Sequence, residues 1–295
     1  GAPPARKVGF AMARIPSYFV IGHPLGHSMS PFIHSRLFAL SGRPAAYEAR
    51  DIPPEQLSAA LREMLPQVQG LNVTIPHKQA VIPLLDRLEG RAKLYRSVNT
   101  IAVTESGAVG YNTDADGFLC ALKAGGVSLA GRVALLGCGG VGRTFACEAA
   151  LAGCRLINAV RPEDFEASRA LKDYVLSLVP GAAFETVELS RLSGDFDLLI
   201  NATPVGMYPR CDASPVDPGV LARCAAVFDA VYNPEETRLL SAARAAGART
   251  VGGMPMLVWQ AAVAHTCWYG AEFQAEAVAS IIADANVYMN QHFRQ

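Results

Sequence analysis

Arg132-Val133-Ala134-Leu135-Leu136-Gly137-Cys138-Gly139-Gly140-Val141-Gly142 is the stretch that decides the fold. An apolar run of strand length ends in glycine, and the residues through Ala152 then read as a helix. A run with no polar alternation suits a strand buried on both faces of a parallel sheet. The glycines fit the spacing G-x-G-x-x-G, with Gly140 as an extra member. Gly137 permits a tight turn, Gly139 lets backbone approach a pyrophosphate, and Gly142 permits close packing of helix on strand. Amides at the helix start attract the phosphate charge. Gly137, Gly139, Gly140, Val141 and Gly142 are therefore the expected phosphate site of a dinucleotide.

Downstream, strands at Arg155–Val160, Asp197–Asn201 and Ala226–Asp229 alternate with helical segments, which predicts a doubly wound parallel sheet. Its first two strands should be joined by the glycine-loop helix, and the second should end beside the adenosine ribose. An acid there suits the 2′-hydroxyl of NAD, and an arginine suits the 2′-phosphate of NADP. The chain offers Val160-Arg161-Pro162-Glu163-Asp164. Two carboxylates repel a 2′-phosphate, so NAD is the expected cofactor and NADP a possible one, with Arg161 and Glu163 as the reading residues.

Upstream lies a second α/β pattern. Strands are expected at Ser17–Gly22, Tyr47–Ala49 and Leu71–Thr74, with a hairpin from Ser97–Val103 to Gly107–Asn112. Helices are expected from Ser30, with Ser30 as cap and Pro31 in the first turn, at Glu55–Met64, from near Pro76, and at Asp114–Ala124. Two more follow at Met256–Tyr269 and Gln274–Asn290. Residues 1–15 read as a leader outside the fold. No signal peptide and no membrane span is expected.

A chain of 295 residues with 51% apolar and 18% charged residues has room for two globular domains. Its 26 basic and 26 acidic residues cancel, which argues against a nucleic-acid surface. Seven cysteines without C-x-x-C spacing suit buried thiols in a reducing cytoplasm. No cluster has metal-ligand spacing, so no metal is expected.

Two residues stand out chemically. Lys78 follows Asn72-Val73-Thr74-Ile75-Pro76-His77 and is placed in the first turn of the expected helix. The helix dipole disfavours a cation there, which would tune the lysine for proton transfer. Asp114, in Asn112-Thr113-Asp114, starts another helix, where the dipole favours a carboxylate. Read singly, one is a surface lysine and the other a capping acid; meeting in a cleft, they would be a proton-transfer pair.

Taken together, the motifs closely resemble the shikimate/quinate dehydrogenase family. They are Ile21-Gly22-His23-Pro24, His27-Ser28-Met29-Ser30-Pro31, Asn72 to Lys78, Val98-Asn99-Thr100, Asn112-Thr113-Asp114 and the glycine loop. Asn201-Ala202-Thr203-Pro204-Val205-Gly206-Met207, Asp229-Ala230-Val231-Tyr232-Asn233-Pro234 and Met256-Leu257-Val258-Trp259-Gln260-Ala261 complete the set, in order, between about Tyr18 and Asn290. The resemblance implies an α/β substrate-binding catalytic domain at 16–113, rejoined by the C-terminal helices at 254–295, and a dinucleotide domain at 114–253. It implies hydride transfer between C3 of a shikimate- or quinate-like acid and a nicotinamide, with Lys78 and Asp114 as catalytic pair. Ser28 and Ser30 would hold the carboxylate, and Asn72, Thr74, Asn99, Tyr232 and Gln260 would line the substrate pocket. Thr203, Ala230, Gly253 and Met256 would complete the cofactor site. Three positions depart from the family pattern: Ser35 after His34, Arg96-Ser97 before Val98, and the Val160–Glu163 segment. Shikimate, quinate and an amino analogue all stay open as substrates, and either Lys78 or Asp114 could be the base. A nucleotide-binding sensor without turnover is the competing class, and retention of both residues speaks against it. Monomer and homodimer are both compatible with the sequence.

Overall fold

The computed structural model describes residues 14–294; the expected leader, apart from Arg14 and Ile15, lies outside them. Two six-stranded sheets organise the chain. The first contains β1 (Ser17–Gly22), β2 (Ala46–Asp51), β3 (Gly70–Val73), β4 (Arg87–Leu88), β5 (Thr100–Thr104) and β6 (Gly107–Tyr111), in the order β2-β1-β3-β5-β6-β4. β1 runs parallel to β2 and β3, while β5 is antiparallel to both β3 and β6. α1 (Ser30–Leu40), α2 (Leu57–Met64) and α3 (Arg91–Tyr95) are threaded through this half, and α4 (Asp114–Ala124) leads out of it, with Phe118 and Leu122 in the core of the second half.

The second sheet contains β7 (Arg132–Leu136), β8 (Arg155–Val160), β9 (Ala183–Glu188), β10 (Leu198–Asn201), β11 (Ala226–Asp229) and β12 (Arg249–Val251). All are parallel, in the order β12-β11-β10-β7-β8-β9. α5 (Gly140–Leu151), α6 (Phe165–Leu178), α7 (Pro218–Leu221) and α8 (Arg238–Ala245) connect them. Val133 and Leu135 enter one core and Ala134 and Leu136 the other, so both faces of β7 are buried. That double burial is why its sequence shows no alternation. The strand order reverses between β7 and β10, which opens a crevice at the carboxyl ends of the strands. β9 and β12 go beyond the strands expected from sequence. Both are edge strands, and β9 alternates one buried Phe184 with exposed or half-buried neighbours, a pattern weaker than a core run.

α9 (Gly253–Tyr269) and α10 (Ala275–His292) return to the first sheet and pack with α1 through Ile33, Leu37, Val258 and Ile281. α9 starts three residues earlier than expected, so Gly253 and Met256 both lie in its first turn. It also packs along α4. The crossing is close because of Gly117, where a Cβ would sit 2.7 Å from the Met256 carbonyl oxygen. α3 reaches across to the second half. Arg91 pairs with the buried Glu148 of α5 at 2.6 Å, and the Tyr174 hydroxyl of α6 donates to the Leu94 carbonyl.

Two expectations about helix starts fail. No helix begins near Pro76: residues 75–81 form turns, followed by a 3-10 turn at Ile82–Leu84. His77 faces inward instead and donates through Nε2 to the Ile52 carbonyl at 2.6 Å, while Pro83 supplies no amide for a continuing helix. Lys78 is therefore a turn residue, and the helix-dipole argument for it lapses. Ser30 does not cap α1 either; it is the first helical residue, after Met29.

Candidate active site

A cavity of about 300 Å³ lies between the two halves. From the first half it is lined by Ser30, Asn72, Thr74, Lys78 and Asn99, from the start of α4 by Asp114, and from the second half by Val141, Ala230 and Tyr232. Gly253, Met256, Leu257 and Gln260 of α9 close it. Sites between domains and at sheet switch points are the usual places for ligands.

Its polar centre is the pair Lys78–Asp114, Nζ to Oδ2 at 2.7 Å, with side chains 30% and 18% exposed. Asp114 is fixed from three directions. Its position is the first residue of α4; its amide donates to Asn112 Oδ1 at 3.0 Å; its Oδ1 accepts from Asn99 Nδ2 at 3.1 Å. Asn99 is buried and in turn accepts from the Thr113 amide at 2.8 Å. Thr113 Oγ1 donates to the Gln260 carbonyl at 2.9 Å, which ties α4 to α9 at the cavity wall. Asn112 and Thr113 thus matter as much as Asp114 for its orientation. Their presence in one tripeptide is the signal for them.

Asn72 accepts from the Tyr47 hydroxyl at 2.7 Å and donates to Thr100 Oγ1 at 3.1 Å. Tyr47, on β2, reads in sequence only as part of a strand. Its link to β3 spans a sheet register that no local pattern encodes. Burial pushes the Tyr47 and Tyr232 hydroxyls up, so both stay protonated donors. Ser28 does not line the cavity; its Oγ accepts from the Ser30 amide at 3.2 Å and so shapes the loop that presents Ser30.

The glycine loop stands where the sequence placed it. Gly137 has φ +85, a conformation that favours glycine. Nothing lies within 4 Å of where a Cβ would stand at Gly139 or Gly140, at the start of α5. That open cradle of helix-terminal amides fits a pyrophosphate. Gly142 differs from expectation: a Cβ there would meet nothing closer than 3.5 Å, an ordinary contact, so packing does not demand glycine. Thr203 packs against Gly137, with its Oγ1 donating to Asn201 Oδ1 at 2.7 Å. The segment carrying Ala230 and Tyr232 is anchored by buried Asp229, which accepts from Asn201, the Val231 amide and Thr237.

At the end of β8, Arg161 lies 3.3 Å from Glu163 and 3.1 Å from Asp164. The hydrogen bond to Asp164, and then the two acidic charges, hold this exposed guanidinium firmly protonated. Arg161 also lines a second cavity, of about 320 Å³, together with Glu188, Ser190, Ser214 and Asp217. Among the described residues no group of His, Cys, Asp or Glu could hold a metal ion, and no helix is long and apolar enough to cross a membrane.

Comparison with known proteins agrees with this geometry. A family profile described as the shikimate dehydrogenase substrate binding domain matches residues 20–101. The chain is 37% identical to the shikimate dehydrogenase (NADP(+)) of Moorella thermoacetica over 90% of its own length and 92% of that protein. It superposes with a TM-score of 0.81 on the shikimate 5-dehydrogenase of Thermus thermophilus, solved with NADP(H) and shikimate, at 34% identity over 92% and 100% of the two chains. The Listeria monocytogenes shikimate 5-dehydrogenase, solved with shikimate and NAD, gives 0.82 at 27% identity over 91% and 96%. A two-half α/β architecture, a glycine-loop cradle and a lysine–aspartate pair at the cleft are thus joined to similarity along nearly the whole chain, and the chain belongs to the shikimate dehydrogenase family.

Proposed function

We propose that this protein interconverts shikimate and 3-dehydroshikimate with a nicotinamide dinucleotide, and that Lys78 and Asp114 manage the proton. The observation that carries this reading is the 2.7 Å Lys78–Asp114 pair facing the same cavity as Ser30, Asn72 and Gln260. Residues 16–113 with 254–295 hold the acid, and residues 114–253 hold the dinucleotide. Both halves of the site come from one chain, so a monomer suffices and a homodimer carries two sites. Seven unpaired thiols suit a cytoplasmic setting.

The nicotinamide, when bound, supplies the hydride acceptor at carbon. Val141, Ala230, Gly253 and Met256 are the residues that would hold it, since they line the same cavity as Lys78 and Asp114. Ser28 and Ser30 serve the carboxylate, Ser30 directly and Ser28 through the loop. Asn72, Thr74, Asn99, Tyr232 and Gln260 surround the ring hydroxyls. Asp114 is an acceptor on both oxygens, toward Lys78 and Asn99, so its work is orientation. In oxidation the neutral Lys78 amine takes the hydroxyl proton and becomes the ammonium that donates to Asp114; in reduction the ammonium gives that proton back to the ring oxygen. Gly137–Gly142 would hold the dinucleotide pyrophosphate, with Thr203 packed against Gly137.

For the adenosine end we propose that NAD is preferred and NADP accepted. Arg161 is engaged by Glu163 and Asp164, and Glu188 and Asp217 add negative charge to the adjoining cavity. A 2′-phosphate placed there meets like charge. The Moorella relative bears NADP(+) in its name, and Arg161 is the group here that would serve a phosphate. Steady-state oxidation of shikimate and of quinate, each with NAD and with NADP, tests the proposal. Reduction of cofactor with shikimate is expected, and its absence would overturn the reading.

A further inference from the structure

Lys78, Asp114 and Val141 line two cavities, not one. Behind the pair, away from Ser30 and Tyr232, lies a second space of about 380 Å³. Exposed Ile75, Pro76, Gln79 and Gly140 stand at its mouth. Its floor is polar and buried: Tyr95, Asn112 and Thr144, with half-buried Ser97 beside them.

Two lining residues carry buried polar atoms that make no well-formed hydrogen bond in the protein, Arg143 Nε and Tyr95 Oη, the latter with only the Glu148 carboxylate near it. Buried polar atoms are rarely left unpaired, and ordered water is the usual partner. A polar space of this size holds several waters, each needing about 2–4 polar neighbours. Burial, and then nearby Glu148, keep the Tyr95 hydroxyl protonated, so it relays hydrogen bonds and does not act as a base.

The chemistry gives such a space a use. When the alcohol is oxidised, its C–H leaves as hydride to the nicotinamide, its O–H proton passes to Lys78, and a C=O bond forms. Lys78 must then return that proton to bulk solvent before the next turnover. While the front cavity holds substrate and nicotinamide, a rear opening would give that proton a separate route. We propose that the rear cavity is the proton exit, a water-filled passage between the Lys78–Asp114 pair and solvent at Gln79. This rests on the reading of Lys78 and Asp114 as the proton-transfer pair.

The test narrows the passage without touching the front cavity. Ser97→Leu places apolar bulk in the rear wall. Its kcat for shikimate oxidation should fall about tenfold, less than the ~10²-fold or more expected for losing an acid–base group outright, because passage is slowed and the pair remains. Because the slowed step follows the chemistry, KM for shikimate and for cofactor should fall with kcat, leaving kcat/KM nearly unchanged. The solvent deuterium isotope effect on kcat should rise, the isotope effect of substrate deuterated at C3 should shrink, and added small amine buffers should restore rate. Should Ser97→Leu fail to fold, Tyr95→Phe carries the test, with a smaller fall in kcat and the same rise in solvent isotope effect. Unchanged kcat and isotope effects in a folded variant would overturn the proposal. So would a raised cofactor KM at unchanged kcat, which would make the cavity part of the dinucleotide site. A wild-type enzyme inert toward shikimate would instead refute the underlying reading.

Discussion

Lys78→Ala separates chemistry from stability. The lysine presents its Nζ to the cavity and holds Asp114 Oδ2 at 2.7 Å. General acid–base groups contribute about 10²–10⁴-fold in rate, equal to about 2.7–5.5 kcal/mol of barrier. The stability cost is much smaller. Asp114 keeps Asn99 on Oδ1 and is 18% exposed, so water can replace the ammonium. Loss of a partly exposed pair then costs about 1 kcal/mol or less, a melting shift of about 2–4 °C at most. Ser30, Asn72 and Gln260 are untouched, so shikimate affinity by calorimetric titration should hold. The assay is kcat from cofactor absorbance, with Tm and binding measured on the same sample. An unchanged kcat would refute the role of Lys78. A kcat that falls only in step with the folded fraction would reduce the residue to a structural one.

Three further outcomes follow from other parts of the structure. Ser28→Ala combined with Ser30→Ala should raise KM more than it lowers kcat, since each lost hydrogen bond to a charged group costs about 1.5–3 kcal/mol. Ser30→Ala alone should carry most of that effect, because only Ser30 lines the cavity; a fall in Tm with KM unchanged would make both residues purely structural. The wild type should show a higher kcat/KM with NAD than with NADP, and Glu163→Ser with Asp164→Thr should free Arg161 and shift preference toward NADP; a wild type that favours NADP would show that Arg161 leaves its acids for the phosphate. Finally, His34 Nδ1 and His265 Nε2 lie 2.9 Å apart in the core, and burial holds His265 at about 3 and His34 well below its ordinary value. The unfolded rings take up protons near pH 6.5 and the folded ones do not, so stability is full above that value and falls as pH drops toward about 3. For His265 the loss at pH 5 is about 2 kcal/mol. His265→Phe should flatten the acid side of the Tm–pH curve, and an unaltered curve would contradict this account.

The second half is the more legible in sequence because its physics is local. A buried central strand must be continuously apolar, and a phosphate-binding turn needs glycine at a fixed offset, so Val133–Gly142 announces itself. The edge strands β9 and β12 lack that signal because little of either is buried on two faces. Lys78 and Asp114 are both legible as candidates, but the helix-dipole reason for Lys78 does not hold. A run after a strand that contains Pro76 resembles a helix start, yet the side chain of His77 commits to the distant Ile52 carbonyl and the chain turns. Tyr47 and Thr113 hold site residues through bonds across sheet and helix registers, whereas the Asn112 bond to the Asp114 amide is local and sits inside one tripeptide. The rear cavity has no sequence signature, because it is formed by loops around residues 75–79 and 95–97 meeting the first turn of α5.

On the proposed chemistry the cavity oxidises one particular carbon, C3 of shikimate, with the proton passing to Lys78. Shikimate carrying deuterium at C3 tests it most directly, with the reduced cofactor and the product examined by mass spectrometry and NMR. One deuterium on the reduced nicotinamide and a carbonyl at C3 of the product are expected, with both lost in Lys78→Ala. Deuterium retained in the ring acid, or released to water with no reduced cofactor formed, would contradict it.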